Sequence, residues 1–278
     1  MRYGGVSDTY EDARLKAKED FWKQALKGKD GYVPTFEEAA NGYSYTYEPR
    51  VAYRGFLSTC LIKGSNQERK RDFSLNYLPL VKRDRGDFRQ KWVHVKNNIP
   101  QWLESGNPIE VKEFMHQYYV MQGNKRTSVA KYLDMPELDA VVFRAIPDKN
   151  QNDKDVQLYH EFLEFENRTG LDMIWFSEEG KFDELEEIIS SYAPKNMNRY
   201  DFFKQYMFKP FHQQYHFCKN GNKKTEGDIF LEYIKEIPDI LVDDKELQNK
   251  VKEVVKRHKR RNRVCRLLDG FKGNGQAA

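Results

Sequence analysis

Residues 118–133 constrain the fold of this chain more than any other stretch. Residues 118–121 are rich in aromatic and β-branched side chains and predict a short strand, and Gly123 permits a tight turn after it. Ala130 and Leu133 then fall on one face of a predicted helix. The chain is therefore predicted to turn directly from a strand into the N-terminus of a helix.

This predicted turn has the chemistry of an anion site. Backbone N–H groups at a helix N-terminus have no intrahelical partner, and the helix dipole favours negative charge there. Phosphate is the expected anion, and the candidate ligands are Gly123, Asn124, Lys125, Arg126, Thr127 and Ser128. The spacing differs from a P-loop and from a dinucleotide-binding fingerprint. On these residues alone, an ordinary basic surface turn is an equal alternative.

Length and composition indicate a folded chain of about two domains. Of the 278 residues, 39% are hydrophobic, which is enough to build substantial cores. The chain carries 47 Lys and Arg against 43 Asp and Glu, a formal net charge of +4. The charge of the whole chain therefore gives no argument for a nucleic-acid partner, and its local distribution matters more.

The cysteines and the hydropathy pattern predict a cytoplasmic protein. Cys60, Cys218 and Cys265 lie far apart without a C-x-x-C pair, which is typical of a reducing compartment and argues against a disulfide framework. No uncharged run reaches transmembrane length, so no membrane partner is expected. His212 and His216 have a spacing that can bind zinc, but the surrounding aromatic residues favour packing and no metal site is predicted.

The order of predicted elements divides the chain into three parts. Residues 1–48 form a helical lead-in that packs on the core, because apolar residues recur there at three- and four-residue spacing. Residues 49–148 form a mixed domain whose clearest strand is 140–146. Residues 149–278 form a helical domain with repeated apolar stripes and a basic C-terminal helix. The predicted fold class is α+β.

Two segments are strongly basic. Residues 63–96 hold ten Lys and Arg against four acids, and residues 251–266 hold eight against one. The second segment predicts a basic helix that contacts DNA, RNA or an acidic partner. Its candidate contact residues are Arg257, Lys259, Arg260, Arg261 and Arg263. A solvated charged face is the alternative for both segments.

Three motifs follow one another in the middle of the chain: Gly106-Asn107-Pro108-Ile109, Tyr119-Val120 and Gly123-Asn124-Lys125-Arg126. Their order resembles the ParB/sulfiredoxin-like fold, in which a G-x-P-I-type turn closes a helix and a D/E-G-x-x-R helix start binds nucleotide phosphate. Gln122 stands where that family commonly has an acid. The resemblance implies a ParB/sulfiredoxin-like mixed α/β domain followed by a helical domain.

A second set of matches covers most of the chain. It includes Tyr10-Glu11-Asp12-Ala13, Tyr32-Val33-Pro34, Asn76-Tyr77-Leu78-Pro79-Leu80, Lys91-Trp92, the segment 174–180 and the segment 225–233. These resemble the ParB-like N-terminal region of bacterial proteins labelled as basic membrane protein family ABC transporter substrate-binding components. The nucleoside-binding half of those proteins has no counterpart in this sequence, so a transport role is not implied.

The resemblance also implies a ligand and its contacts. In ParB-like domains the loop after the first strand lies against the nucleotide, so Lys125 and Arg126 are expected to hold the phosphates of ATP or CTP, with or without Mg²⁺. The loop residues expected to join them are Ser65, Asn66, Gln67, Arg69 and Arg71. Glu68 in the same loop is the candidate catalytic base, and an exposed Glu that balances a basic loop is the alternative.

Two functions of different classes remain open from the sequence. The first is an enzyme that hydrolyses a nucleoside triphosphate or transfers its phosphoryl group. The second is a non-catalytic DNA-associated or regulatory binding protein that a nucleotide switches. A homodimer is also left open. No Ser-His-Asp set or dedicated cofactor motif in the sequence supports another enzyme class.

Overall fold

A computed structural model describes residues 9–48, 51–82, 87–99, 106–209, 211–212 and 225–235 of the chain. The chain divides into two compact units, Met1–Val156 and Gln157–Ala278. The first unit combines helices with a mixed sheet and the described part of the second unit is helical, so the fold class is α+β.

The first unit is built on a six-stranded sheet of both parallel and antiparallel strands. Its strands are β1 (Tyr45–Tyr47), β2 (Tyr53–Ser58), β3 (Ile62–Ser65), β4 (Ile109–Phe114), β5 (Gln117–Gln122) and β6 (Glu137–Pro147). The order is β1-β6-β4-β5-β3, with β2 also paired to β6. Pairs β4/β6 and β3/β5 are parallel, and pairs β1/β6, β2/β6 and β4/β5 are antiparallel. The parallel β3/β5 pair brings the end of β3 beside the end of β5.

The longest strand, β6, confirms the prediction for 140–146 and extends it to Glu137. It pairs β4 on one side and β1 and β2 on the other, so alternate side chains such as Leu138, Ala140 and Val142 are buried. Gly55 lies within β2 opposite Ala140, so the glycine does not interrupt that strand.

The chain turns after β2 at a 3₁₀ segment, Thr59–Leu61. The hydroxyl of Thr59 donates to the carbonyl of Met135 at 2.8 Å, and its backbone N–H donates to the carbonyl of Pro136 at 2.8 Å. These two bonds fix the point at which the chain leaves β2 and enters β3.

Three helices of the first unit contribute to its main core: α1 (Thr9–Ala25), α3 (Phe88–Asn97) and α4 (Asn124–Tyr132). A four-residue helix, α2 (Phe36–Ala39), lies between α1 and β1 and has a capping box formed by Thr35 and Glu38. Tyr10 and Trp92 meet edge-to-face at 5.5 Å in the core, together with Val129 and Ala130 of α4. The lead-in helix α1 thus packs on the mixed sheet domain.

The end of α4 differs from the sequence prediction. Ala130 is buried as predicted, but Leu133 is 39% exposed because the helix ends at Tyr132. The backbone turns away immediately afterwards, since Asp134 has a left-handed φ of 56°. Leu133 therefore does not continue the buried face of the helix.

The described part of the second unit is helical. Its helices are α5 (Lys154–Thr169, which begins in the first unit), α6 (Lys181–Ser190), α7 (Arg199–Phe202) and α8 (Glu226–Ile234), with a π-helical segment at Phe203–Phe208. The predicted apolar stripes are buried, as shown by Phe162, Phe165, Phe182 and Leu185. In the described parts of both units, no helix is long and apolar enough to cross a bilayer.

Candidate functional site

The turn between β5 and α4 requires glycine. Gly123 has φ 94° and ψ 17°, a left-handed conformation that side chains rarely adopt. A Cβ atom at this position would lie 2.5 Å from Cγ2 of Ile109, so the site is also too tight for one. The backbone at the start of α4 is therefore fixed by a residue that the sequence singled out.

The start of α4 presents backbone donors. The first intrahelical bond runs from the N–H of Thr127 to the carbonyl of Gly123, at 3.0 Å. The three preceding amides, of Asn124, Lys125 and Arg126, therefore have no acceptor within the helix. The positive end of the dipole of this nine-residue helix adds to the attraction for an anion.

The side chain of Asn124 is held by two hydroxyl groups. Ser65 Oγ donates to Asn124 Oδ1 at 2.8 Å, and the Tyr77 hydroxyl donates to the same oxygen at 2.7 Å. Ser65 and Tyr77 are both buried, and Tyr77 has a left-handed φ of 62°. The described residues offer no acceptor to the Asn124 amide nitrogen, so its two N–H donors remain available to a ligand.

Lys125 is partly buried among other charges. Its ammonium group lies 4.7 Å from the centre of the Phe88 ring. Burial lowers the pKa of Lys125, and the nearby positive charges of Arg69 and Lys91 lower it further. Asp87 and Asp72 act in the opposite direction. Asp72 pairs with Arg69 and Asp87 pairs with Lys91, so among the described residues Lys125 is the cation at the start of α4 that makes no ion pair.

Arg126 is tied to the chain before β4. Its Nη1 donates to the carbonyl of Asn107, and Arg54 donates to the neighbouring carbonyl of Gly106 at 3.0 Å. Burial is the largest cause that lowers the pKa of Arg126, although a guanidinium group keeps its proton at ordinary pH. Arg126 therefore secures the 106–109 turn against α4, and its remaining donors are what it can offer a ligand.

Thr127 and Ser128 are fully buried and serve the fold. The Thr127 hydroxyl donates to the carbonyl of Gly123 at 3.3 Å, and Ser128 Oγ accepts a hydrogen bond of 3.0 Å from the indole of Trp92. The sequence predicted both hydroxyls as anion ligands, but in the structure they make hydrogen bonds that hold the helix in place. The anion donors that remain come from the first three residues of α4.

The predicted loop after β3 is largely a 3₁₀ helix, Gln67–Asp72. Asn66 precedes it and is held by a bond from its N–H to the carbonyl of Val120, at 3.1 Å. Arg69 pairs with Asp72 at 3.1 Å, and Lys70 pairs with Asp30 at 2.9 Å and with Glu38. The loop is thus anchored to the lead-in segment and reaches the site mainly through Ser65 and the charge of Arg69.

The remaining predicted loop residues face solvent. Gln67, Glu68 and Arg71 are exposed. In the part of the chain that the structure describes, Glu68 makes no hydrogen bond or ion pair. Nothing in this geometry prepares the Glu68 carboxylate to act as a base, since no neighbouring group orients it.

Sequence reasoning missed several groups near the turn: Asp72, Tyr77, Asp87, Phe88 and Lys91. Two of them lie in the motifs 76–80 and 91–92, which the resemblance had picked out without giving them a role. The other three, Asp72, Asp87 and Phe88, belong to no motif in the sequence. Only the packing of the folded chain brings their charges and ring to the site.

The other predicted sites have different outcomes. His212 Nδ1 lies 2.7 Å from a Glu226 carboxylate oxygen, while His216 and Cys218 lie outside the described residues. The described ranges contain no group of three or more His, Cys, Asp or Glu side chains that could hold a metal ion. The predicted nucleic-acid contacts also lie outside the described residues: Arg257, Lys259, Arg260, Arg261 and Arg263.

Comparisons with known proteins give no identification. No family model matches the chain, and no curated protein matches it. The chemistry of the α4 start is therefore the basis for any statement about function. Its free amides, fixed Asn124 and gathered cations suit a phosphate group.

Proposed function

We propose that the protein binds a nucleotide through its phosphates at the start of α4. The observation that carries this proposal is the position of Lys125, which is partly buried beside Arg69 and Lys91 at a helix end with free amides. Asp72 and Asp87 already pair with Arg69 and Lys91, so among the described residues Lys125 is the cation of this group without an ion-pair partner, and its partial burial makes an unpaired charge unfavourable. A phosphate group would supply a counter-charge and accept hydrogen bonds from the amides.

The proposed ligand is a nucleoside triphosphate, ATP or CTP, with or without Mg²⁺. The resemblance of residues 106–126 to the ParB/sulfiredoxin-like fold supports a nucleotide over a simple phosphate ester, and we include that fold assignment in the proposal. Mg²⁺ commonly binds through one or two carboxylates together with substrate phosphates. The carboxylates whose charge acts on Lys125 are Asp72 and Asp87, which pair with Arg69 and Lys91, so either would have to leave its ion pair to bind Mg²⁺.

The geometry supports nucleotide binding without catalysis better than it supports catalysis. A general base needs a fixed position, whereas Glu68 is exposed and makes no hydrogen bond or ion pair among the described residues. Hydrolysis or phosphoryl transfer through Glu68 is the second form. A Glu68→Gln variant that keeps nucleotide affinity but loses phosphate release would establish it.

A nucleic-acid partner is the second candidate function, and the observation that favours it is the basic run 251–266. If these residues bind DNA or RNA, log K should fall steeply with log salt, because each phosphate contact releases counterions. A gel-shift titration of the intact chain at low salt checks this, and absence of binding would leave the run as a solvated face. The separated cysteines support a cytoplasmic location for either function.

A thermal-shift panel tests the nucleotide proposal. ATP, ADP, CTP and GTP are each added with and without Mg²⁺, and adenosine serves as the control that lacks phosphate. A ligand at about a hundred times its Kd stabilises the folded state by about 2.7 kcal/mol, so a true ligand raises the melting temperature clearly. The proposal predicts a shift with at least one triphosphate and none with adenosine. Identical melting temperatures throughout would contradict it.

A further inference from the structure

Tyr77 is a buried tyrosine with an unusual backbone conformation. Its side chain is 1% exposed, and its φ of 62° is left-handed, which is uncommon for a residue other than glycine. Residues held in such conformations concentrate at functional sites, where the surrounding structure fixes them. The Tyr77 hydroxyl donates a 2.7 Å hydrogen bond to Asn124 Oδ1, at the first position of α4. The conformation of Tyr77 therefore places its hydroxyl beside the proposed phosphate site.

The neighbouring residues hold the Tyr77 hydroxyl in place. The N–H of Tyr77 donates to the carbonyl of Ser74 at 2.7 Å, and the N–H of Ser74 donates to the carbonyl of Leu78 at 2.9 Å. The Tyr77 ring packs against the ring of Phe73, with centroids 4.9 Å apart. Burial raises the pKa of the Tyr77 hydroxyl well above its ordinary value, so the hydroxyl keeps its proton and remains a donor.

A second fixed hydroxyl, that of Ser65, meets the same oxygen. Ser65 Oγ donates to Asn124 Oδ1 at 2.8 Å and lies 3.3 Å from Asn66 Oδ1, so the bond to Asn124 is the shorter one. The N–H of Ser65 donates to the carbonyl of Pro34 at 3.0 Å, which holds the end of β3. Because the amide oxygen of Asn124 is engaged with both hydroxyls, its two N–H donors are the part of the side chain left for a ligand.

We propose that Tyr77 is a positioning residue for the phosphate ligand and acts through Asn124, without touching the ligand itself. This role rests on the proposed phosphate site, because Tyr77 has nothing to position unless a ligand binds there. Asn124 held in this way offers donors only, so it suits a ligand oxygen that only accepts, as the oxygens of an ionised phosphate do. Asn124 is thus a specificity-determining side chain, and Tyr77 sets its orientation.

A double-mutant cycle tests whether Tyr77 acts through Asn124. ATP and CTP are titrated calorimetrically into the full-length wild type, Tyr77→Phe, Asn124→Ala and the variant with both substitutions. Tyr77→Phe should weaken nucleotide binding by about three- to tenfold, because one hydrogen bond that orients the amide is lost. In the Asn124→Ala background the same change should alter affinity by less than about twofold, since the side chain that Tyr77 orients is gone. Equal weakening in both backgrounds would overturn the inference, because Tyr77 would then act through the fold.

Tyr132→Phe is the matched control for the loss of a tyrosine hydroxyl. Tyr132 is the last residue of α4, and its hydroxyl donates a 2.8 Å hydrogen bond to Asp12, at the opposite end of the helix from the proposed site. The melting temperatures of both variants are measured first, and the titrations are run well below the lower one. Tyr132→Phe should bind nucleotide like the wild type. Equal affinity of Tyr77→Phe and Tyr132→Phe would contradict a positioning role, even where Asn124→Ala binds too weakly for titration.

Asn124→Asp separates the donor role of this side chain from its acceptor role. Aspartate keeps an oxygen for Ser65 and Tyr77, but it replaces the N–H donors by a second oxygen and adds a negative charge. At neutral pH it should therefore keep more of the wild-type melting temperature than Asn124→Ala does, and bind ATP and CTP more weakly than Asn124→Ala does. Wild-type affinity in Asn124→Asp would overturn the assignment of the amide donors to the ligand.

Two outcomes distinguish a failure of this inference from a failure of the phosphate site. No binding of ATP or CTP by the wild type would contradict the site itself, and the role of Tyr77 would fall with it. Binding that Lys125→Ala weakens and Tyr77→Phe leaves unchanged would contradict the role of Tyr77 alone.

Discussion

Ser65 Oγ donates a 2.8 Å hydrogen bond to Asn124 Oδ1 and so joins the last residue of β3 to the first residue of α4. Tyr77 adds a second bond to the same oxygen. Because both donors are buried, the amide of Asn124 is oriented before any ligand arrives. A donor held in advance loses less freedom on binding, which favours affinity.

This network predicts a stability cost for Asn124→Ala. The substitution leaves the buried Tyr77 hydroxyl without its acceptor, while Ser65 Oγ keeps a longer bond of 3.3 Å to Asn66 Oδ1. A buried unsatisfied group costs about 1–3 kcal/mol. Urea unfolding measures the loss in the free energy of unfolding. Asn150→Ala, at an exposed turn, is the control and should change that free energy by less than about 0.5 kcal/mol. Equal stability of the two variants would show that the network contributes nothing.

Two glycines with similar backbone angles allow the energetic cost of a left-handed backbone to be measured apart from the cost of a steric clash. Gly123 and Gly42 have φ values of 94° and 89°, but only Gly123 has a neighbour within 4 Å of an added Cβ, at Ile109. Gly42→Ala should lower the free energy of unfolding by about 1–2 kcal/mol, because alanine is disfavoured in a left-handed backbone conformation. Gly123→Ala should lower the free energy of unfolding by clearly more, because Ile109 must also move away from the added Cβ atom. Equal losses in chemical unfolding would mean that the close approach is not a constraint.

The burial of His116 predicts that the folded protein loses stability in mild acid. Burial, together with the positive charge of Arg144, lowers the pKa of His116 to about 3. The unfolded chain binds a proton at His116 near pH 6.5 and the folded chain does not, so stability falls as pH drops below 6.5 toward 3. At pH 5 the loss relative to neutral pH is on the order of 2 kcal/mol from this group.

A pair of histidine variants checks this pH dependence. His116→Asn removes the titrating group while tolerating the left-handed φ of 57°. Its free energy of unfolding should therefore change less between pH 7.5 and pH 5 than that of the wild type. His94→Asn, at an exposed position, should behave like the wild type. If His116→Asn shows the full wild-type loss, another group controls the acid response.

The sequence predicted the turn into α4 because its determinants are local. An aromatic and β-branched run, a glycine and a helix-forming segment lie within 118–133, and the structure places β5, Gly123 and α4 there. The helical stripes of the second unit were predictable for the same reason, since a period of 3.6 residues appears directly in the sequence. Features that depend on neighbours in the chain could therefore be predicted.

The remainder of the site depends on distant contacts. Tyr77 reaches Asn124 across 47 residues, and Lys91 approaches Lys125 only because α3 packs against α4. Burial also changed the role of Ser128, whose hydroxyl meets the indole of Trp92. The sequence shows that a hydroxyl or ammonium group is present, but tertiary packing decides whether it faces a ligand or the core.

Isothermal titration of ATP and CTP into the wild type, Lys125→Ala and Lys195→Ala tests the central claim most directly. Lys125 is the better choice than Arg126, whose bond to Asn107 also supports the fold. A charge-assisted contact contributes about 1.5–3 kcal/mol, so Lys125→Ala should weaken binding by about ten- to hundredfold. Lys195→Ala removes the same charge in the second unit and should bind like the wild type. Equal affinity in all three proteins, or no binding by the wild type, would contradict a phosphate site at the start of α4.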